Sequence, residues 1–181
     1  MQPAGVAGPT LRCFIAAWPD AATRAHLEAI RDEQARLWPA ARPVTTSNLH
    51  LTLAFIGALP VERVRLLQPP VDALEVDPFV WTADRLGVFR KARVLWIGGA
   101  ATSVLDRLAA TVRALLDAEA VRYDPKPFVP HVTLLRHCAA TSLPRSAVDP
   151  VDWPIAAVRL VVSRSAPSGV HYVNAADLRE D

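Results

Sequence analysis

Along this chain, runs of alternating apolar and polar residues interleave with stretches of helical spacing, and Pro or Gly marks most of the joints. Leu11–Ala17 is a short apolar run with β character, followed by Pro19-Asp20, where Asp20 can cap a helix. Leu27, Ile30, Gln34 and Leu37 keep the spacing of one helical face, so a helix is predicted over 21–37, closed by Trp38-Pro39. Residues 39–47 read as a loop, and 48–56 as a strand that stops at Gly57. A helical stretch from 61 is expected to end at Pro69-Pro70, because proline lacks the N–H a helix needs. Strands near 79–89 and 92–98 flank a basic turn, Phe89-Arg-Lys-Ala92. Val104, Leu108, Val112 and Leu115 define a helix over 103–117, with Ser103 and Asp106 as a capping-box-like start. A loop over 118–129 leads to a strand at 130–136. A Pro-rich connection (Leu143 to Pro154) precedes strands at 156–164 and 170–175 around Pro167-Ser-Gly169. This is an α+β pattern rich in antiparallel hairpins. Residues 1–10 read as a flexible tail before a single domain over 11–181, built as two lobes.

Two of the predicted strands carry the same unit. His50-Leu-Thr-Leu53 recurs 81 residues later as His131-Val-Thr-Leu134, and the context recurs with it. At the same offset Arg12–Ala16 falls on Arg93–Ile97, and Leu27 falls on Leu108 within a helical pattern. Each half reads as strand, helix, loop and His-x-Thr strand, so the match is an architecture and not a coincidence of motifs. In a strand, side chains alternate between faces, so each His shares a face with the Thr two positions on. Two such strands can present two imidazoles and two hydroxyls to one cleft.

Composition narrows the class. Of the 181 residues 51% are hydrophobic, which argues for a buried core and against disorder, and no apolar stretch approaches a membrane span. Leu11–Trp18 is too short for a secretory signal and reads better as a first strand, so a cytoplasmic protein, monomeric and without membrane contact, is expected. Cys13 and Cys138 have no metal spacing and read as free buried thiols. A net charge of +2 is too mild for broad coating of nucleic acid.

Imidazole gives and takes protons near neutral pH. A cleft with two can hold one as base and one as acid, which displacement at phosphorus requires. Thr52 and Thr133 are placed to hydrogen-bond phosphate oxygens. Arg136 would add charge, although strict alternation puts it off the histidine face. His26 and His171 read as surface or packing residues, and His137 could reach the rim of the cleft. No carboxylate cluster offers a metal site, so no metal or other cofactor is implied.

The motif segments Asn48–Gly57, Arg93–Trp96 and Phe128–Arg136, with Leu-Arg-Cys-Phe-Ile-Ala ahead of the first motif, resemble the 2H phosphoesterases over roughly 11–175. More narrowly they resemble the LigT-like RNA 2′,3′-cyclic phosphodiesterases, also called 2′-5′ RNA ligases. The resemblance implies a bilobal pseudo-symmetric fold, two antiparallel sheets with outer helices around a central groove. It also implies metal-independent hydrolysis of a 2′,3′-cyclic phosphate, at RNA 3′ ends or on small cyclic nucleotides, to a 2′-phosphate. On the matching positions His50 is the proton donor, His131 the proton acceptor, and Thr52, Thr133 and Arg136 hold the phosphate. Phe14 and Trp96 are candidates for the base site. Ala58 stands where many members carry an acidic residue. Ligation, the reverse reaction, and a non-catalytic RNA-end or nucleotide-binding module stay open as alternatives.

Overall fold

The computed structural model describes residues 9–139, 143, 147–166 and 169–178. Its first strand, β1 (Thr10–Ala17), leads into helix α1 (Ala21–Leu37), where the Asp20 carboxylate accepts the Thr23 N–H at 2.8 Å as expected of a cap. A two-residue strand β2 (Arg42–Pro43) and a 3₁₀ turn (Thr46–Asn48) follow, then β3 (Leu51–Pro60), α2 (Val61–Asp72), β4 (Phe79–Phe89) and β5 (Val94–Gly98). The chain continues through α3 (Ser103–Ala118), β6 (His131–Arg136), β7 (Ala147–Ile155), β8 (Arg159–Ala166) and β9 (Gly169–Asn174).

All the strand pairs are antiparallel and form two sheets, β3-β1-β8-β9 and β2-β6-β5-β4-β7. The repeat is visible in this order. Each sheet places a motif strand (β3 or β6) beside the strand that precedes its helix (β1 or β5), then two further strands. One continuous core joins the inner faces of both sheets to the helices: Ile15, Leu51 and Leu53 from one half, Leu95, Val132 and Leu134 from the other, with Leu27, Leu67 and Leu105 from the helices. Alternation in the motif strands thus sends Leu to the core and His and Thr to the opposite face.

Four predicted features differ. The loop over 39–47 contains β2, which pairs with Arg136 and Leu135 of β6 and ties the approach to His50 onto the second motif strand. Helix α2 runs through Pro69 and Pro70 to Asp72, because Val64, Leu67 and Val71 are all buried and their packing holds the last turn despite two missing donors. The cap of α3 is Thr102, whose hydroxyl accepts the Leu105 N–H at 3.2 Å, one residue before Ser103. Most of the Pro-rich connection is β7, with Val151, Trp153 and Ile155 buried. It tolerates Pro150 and Pro154 because it is the outer strand of its sheet. Residues 1–8 of the expected tail and the tip 167–168 lie outside the described residues.

Candidate active site

His50 and His131 come together in a cavity of about 690 Å³ between the two sheets, lined also by Thr52, Thr133, Arg136 and Phe14. The halves orient their histidines in the same way. Nδ1 of His50 lies 2.7 Å from the carbonyl of Asn48, and Nδ1 of His131 lies 2.7 Å from the carbonyl of Val129, in each case two residues back. A carbonyl only accepts, so Nδ1 must carry the proton. That leaves Nε2 as the nitrogen that exchanges a proton in the groove. Nε2 of His50 lies 2.9 Å from the Thr52 hydroxyl, which donates to it while the ring is neutral.

Burial decides the charge of both rings. Desolvation lowers the pKa of His50 from 6.5 to about 4, against the opposing pull of the Asn48 carbonyl and with added repulsion from Arg136 and His131. His131 is lowered by the same desolvation, with a further push from Arg136. Both histidines are therefore neutral in the empty groove near pH 7, and a bound anion would raise them.

Aromatic rings provide the low-polarity walls. Phe14, Trp18 and Tyr172 surround His50, with ring centroids at 4.8, 5.2 and 5.1 Å. They belong to a small second core on the groove face of the four-stranded sheet. Phe14 is only 4% exposed, so it braces His50 and offers little free surface for a base. Trp96 plays the matching part, with its ring 6.1 Å from His131 and Phe89 edge-on at 4.8 Å. Its indole lies against Gly87 and Gly98; a Cβ at Gly87 would come within 2.1 Å of the ring. The 81-residue offset sets Phe14 against Leu95, yet the groove counterpart of Phe14 is Trp96. The β5–β6 ladder shifts register between Leu95 and Trp96.

That same shift returns Arg136 to the groove. Leu95 faces Leu135 and Trp96 faces Thr133, so Leu134 is an extra residue, and beyond it the alternation inverts. The first half repeats the device. Ala16 faces Thr52 and Ile15 faces Ala54, which makes Leu53 the extra residue and turns Phe55 to the groove.

Among the lining residues absent from the candidates read from the sequence are Asn48 and Phe55. Asn48, 7% exposed, donates through Nδ2 to the Val170 carbonyl at 2.7 Å and accepts the Tyr172 N–H at 3.3 Å. It thereby pins β9 to the segment whose carbonyl orients His50. Its place two residues before the histidine in the motif was the available signal. Phe55 could not be found by alternation, which assigns it to the core. His137, with φ of 55°, lines the groove, whereas His26 and His171 are exposed away from the lining. Cys13 and Cys138 are buried free thiols, and burial pushes Cys13 up to about 11.

Arg31 of α1, itself buried, steadies the same wall. It donates to the Val44 carbonyl at 2.8 Å and the Thr46 hydroxyl at 2.9 Å, and pairs with Glu28 and Asp32. The lining holds Arg12, Arg42 and Arg136 and, among the described residues, no carboxylate, so the groove is made for an anion. Among the described residues no three His, Cys, Asp or Glu side chains converge as a metal site, and no helix is long and apolar enough to cross a membrane.

Comparison with known proteins adds to this geometry. Residues 18–96 match the family described as LigT like Phosphoesterase. The chain is 35% identical over 107 residues to the RNA 2′,3′-cyclic phosphodiesterase of Escherichia coli, covering 58% of this chain and 61% of that relative. To the RNA 2′,3′-cyclic phosphodiesterase of Thermus thermophilus it is 36% identical over 146 residues, covering 72% of this chain and 71% of the relative. Among solved structures it is similar to Escherichia coli LigT complexed with 3′-AMP, with a TM-score of 0.80 at 27% identity over 92% of this chain and 95% of that one. The structure of TT0787 from Thermus thermophilus aligns with a TM-score of 0.68 at 32% identity, over 91% and 94% of the two chains.

Proposed function

Because the chain belongs to the LigT-like phosphoesterase family, we propose that it hydrolyses 2′,3′-cyclic phosphates, on RNA 3′ ends or small nucleotides, to 2′-phosphates. One observation carries this reading: two imidazoles have Nδ1 locked by their own backbone and Nε2 left for proton transfer in one groove that holds three arginines and, among the described residues, no carboxylate.

In this mechanism the cyclic phosphate sits between the histidines, its non-bridging oxygens held by the hydroxyls of Thr52 and Thr133 and its charge met by Arg136. The anion favours the protonated form of His50. Nε2 of His131 takes a proton from water as the water oxygen bonds to phosphorus. The P–O3′ bond breaks, and His50 delivers its Nε2 proton to O3′. The product keeps the phosphate on O2′ and leaves a free 3′-hydroxyl, with one proton moved from His50 to the substrate and one from water to His131. Solvent resets both rings. No step calls for a cofactor. All the groups named come from one chain, which fits a monomer, and two free thiols with an RNA substrate fit the cytoplasm.

The test is hydrolysis of 2′,3′-cyclic AMP with identification of the product. We expect 2′-AMP, turnover unchanged by chelator, and at least a 100-fold loss in His50→Ala and in His131→Ala. Either variant retaining more than about a tenth of the rate would make paired acid–base catalysis untenable.

A further inference from the structure

Arg31 stands on the inward face of α1 with Leu27 and Ile30, only 8% exposed, and each of its five N–H groups has an acceptor. Nε and Nη2 donate to Asp32 at 2.9 and 2.7 Å, and Nη2 also donates to Glu28 at 3.0 Å. Nη1 reaches away from the helix, to the Val44 carbonyl at 2.8 Å and the Thr46 hydroxyl at 2.9 Å. At the 81-residue offset the second half has Val112, fully buried, so the repeated fold packs this position without a charge. A buried ion pair is also weak support for stability, since apolar replacements often leave stability unchanged. The role of Arg31 lies in the segment it grips.

That segment runs between the halves. Val44 donates its own N–H to the carbonyl of Leu134 at 2.9 Å, and Leu134 is the extra residue whose bulge turns Arg136 to the groove. Beside it Arg42 and Pro43 pair with Arg136 and Leu135. In the other direction Thr46 opens the 3₁₀ turn to Asn48, whose carbonyl fixes Nδ1 of His50. Thr46 also donates to Glu28, so its hydroxyl is held from both sides. We propose that Arg31 is a positioning residue for the reaction: through Thr46 it sets the carbonyl that orients His50, and through Val44 it sets the bulge that presents Arg136. One guanidinium thus keeps the proton donor of one half in step with the phosphate-binding arginine of the other. This rests on the roles of His50 and Arg136 in the phosphodiesterase reading above. The two N–H of Nη1 diverge in a fixed plane and meet both acceptors at once, whereas a lysine ammonium on its flexible stem would hold them less firmly.

The experiment measures kcat and KM for 2′,3′-cyclic AMP, with thermal melts, in full-chain Arg31→Met and Arg31→Lys, each alone and combined with Arg136→Ala. Glu28 and Asp32 are half-exposed and stay hydrated without their partner, so Arg31→Met should melt close to the unaltered protein. Its kcat should fall on the order of ten-fold with KM within about two-fold, since displaced groups slow the chemistry more than they weaken binding. Arg31→Lys should recover part of that loss. With Arg136 already removed, Arg31→Met should cost only about three-fold, because one of the two groups it places is gone. If Arg31→Met does not fold, Arg31→Lys carries the same comparisons. A kcat within about two-fold of the unaltered protein, a loss confined to KM, or the same loss with and without Arg136 would each overturn the positioning role and leave the phosphodiesterase intact. No hydrolysis by the unaltered protein would instead sink the activity, and the positioning role with it.

Discussion

An acid with a pKa of about 4 holds almost no proton at pH 7, so His50 can serve as donor only if the bound anion supplies the missing stabilisation. Protonating it in the empty groove at pH 7 runs against about three pH units, or about 4 kcal/mol at 1.36 kcal/mol per unit. One negative charge about 4 Å from the ring returns about 4 kcal/mol at an effective dielectric of about 20, so a dianion at hydrogen-bonding distance is enough to tip the balance. Sulfate is a suitable probe because it does not itself titrate near neutrality. Its binding should therefore take up close to one proton between pH 6 and 7. The sign follows from the direction of the shift. The pKa is higher in the bound state than in the free, so affinity rises as pH falls through the bound value, by up to ten-fold per unit. Calorimetry in two buffers of different ionisation enthalpy measures the uptake directly. His50→Gln should abolish it and His131→Gln should leave it. Uptake below about 0.2 proton in the unaltered protein would refute the electrostatic argument, and loss of uptake in His131→Gln alone would exchange the acid and base roles.

Asn48→Ala removes two hydrogen bonds that join β9 to the segment orienting His50, a loss of about 2 kcal/mol at about 1 kcal/mol each. We expect a lower melting temperature and a fall in kcat well beyond the change in KM; an unchanged kcat would mean that β9 plays no part in orienting His50. Gly87→Ala drives a methyl into the Trp96 ring and should cost about 1–3 kcal/mol by overpacking, with lost activity because that ring packs against His131. The double variant with Trp96→Leu should recover stability in thermal melts but not activity, and recovery of neither would place the strain elsewhere.

Much of the fold is written in local patterns. The Asp20 cap, the helical face of α1 and the β4–β5 hairpin depend on a few adjacent residues, and short-range sterics and hydrogen bonding set them. The repeated His-x-Thr and its 81-residue offset likewise pointed to the two strands whose His and Thr meet at the groove, because a strand's period of two links His to Thr on one face wherever the strand is placed. Periodicity fell short where pairing, and not propensity, makes the element. Arg42–Pro43 is a strand only because β6 lies beside it, and Pro150 and Pro154 are tolerated only because β7 has no neighbour on one side.

Which residues face the groove beyond the motif threonines was decided by tertiary structure alone. A bulge is a mismatch between two strands, so neither strand's sequence contains it. The extra residues Leu53 and Leu134 bring Phe55 and Arg136 to the groove, positions that strict alternation would have buried. The proton affinity of the histidines has the same origin. By itself the sequence established two imidazoles with hydroxyl neighbours on paired strands, each with the ordinary pKa of a histidine. The aromatic walls that strip water from His50 come from β1, from Trp18 just beyond it and from β9, up to 122 residues away from it in the chain, and only the closed fold puts them around one ring.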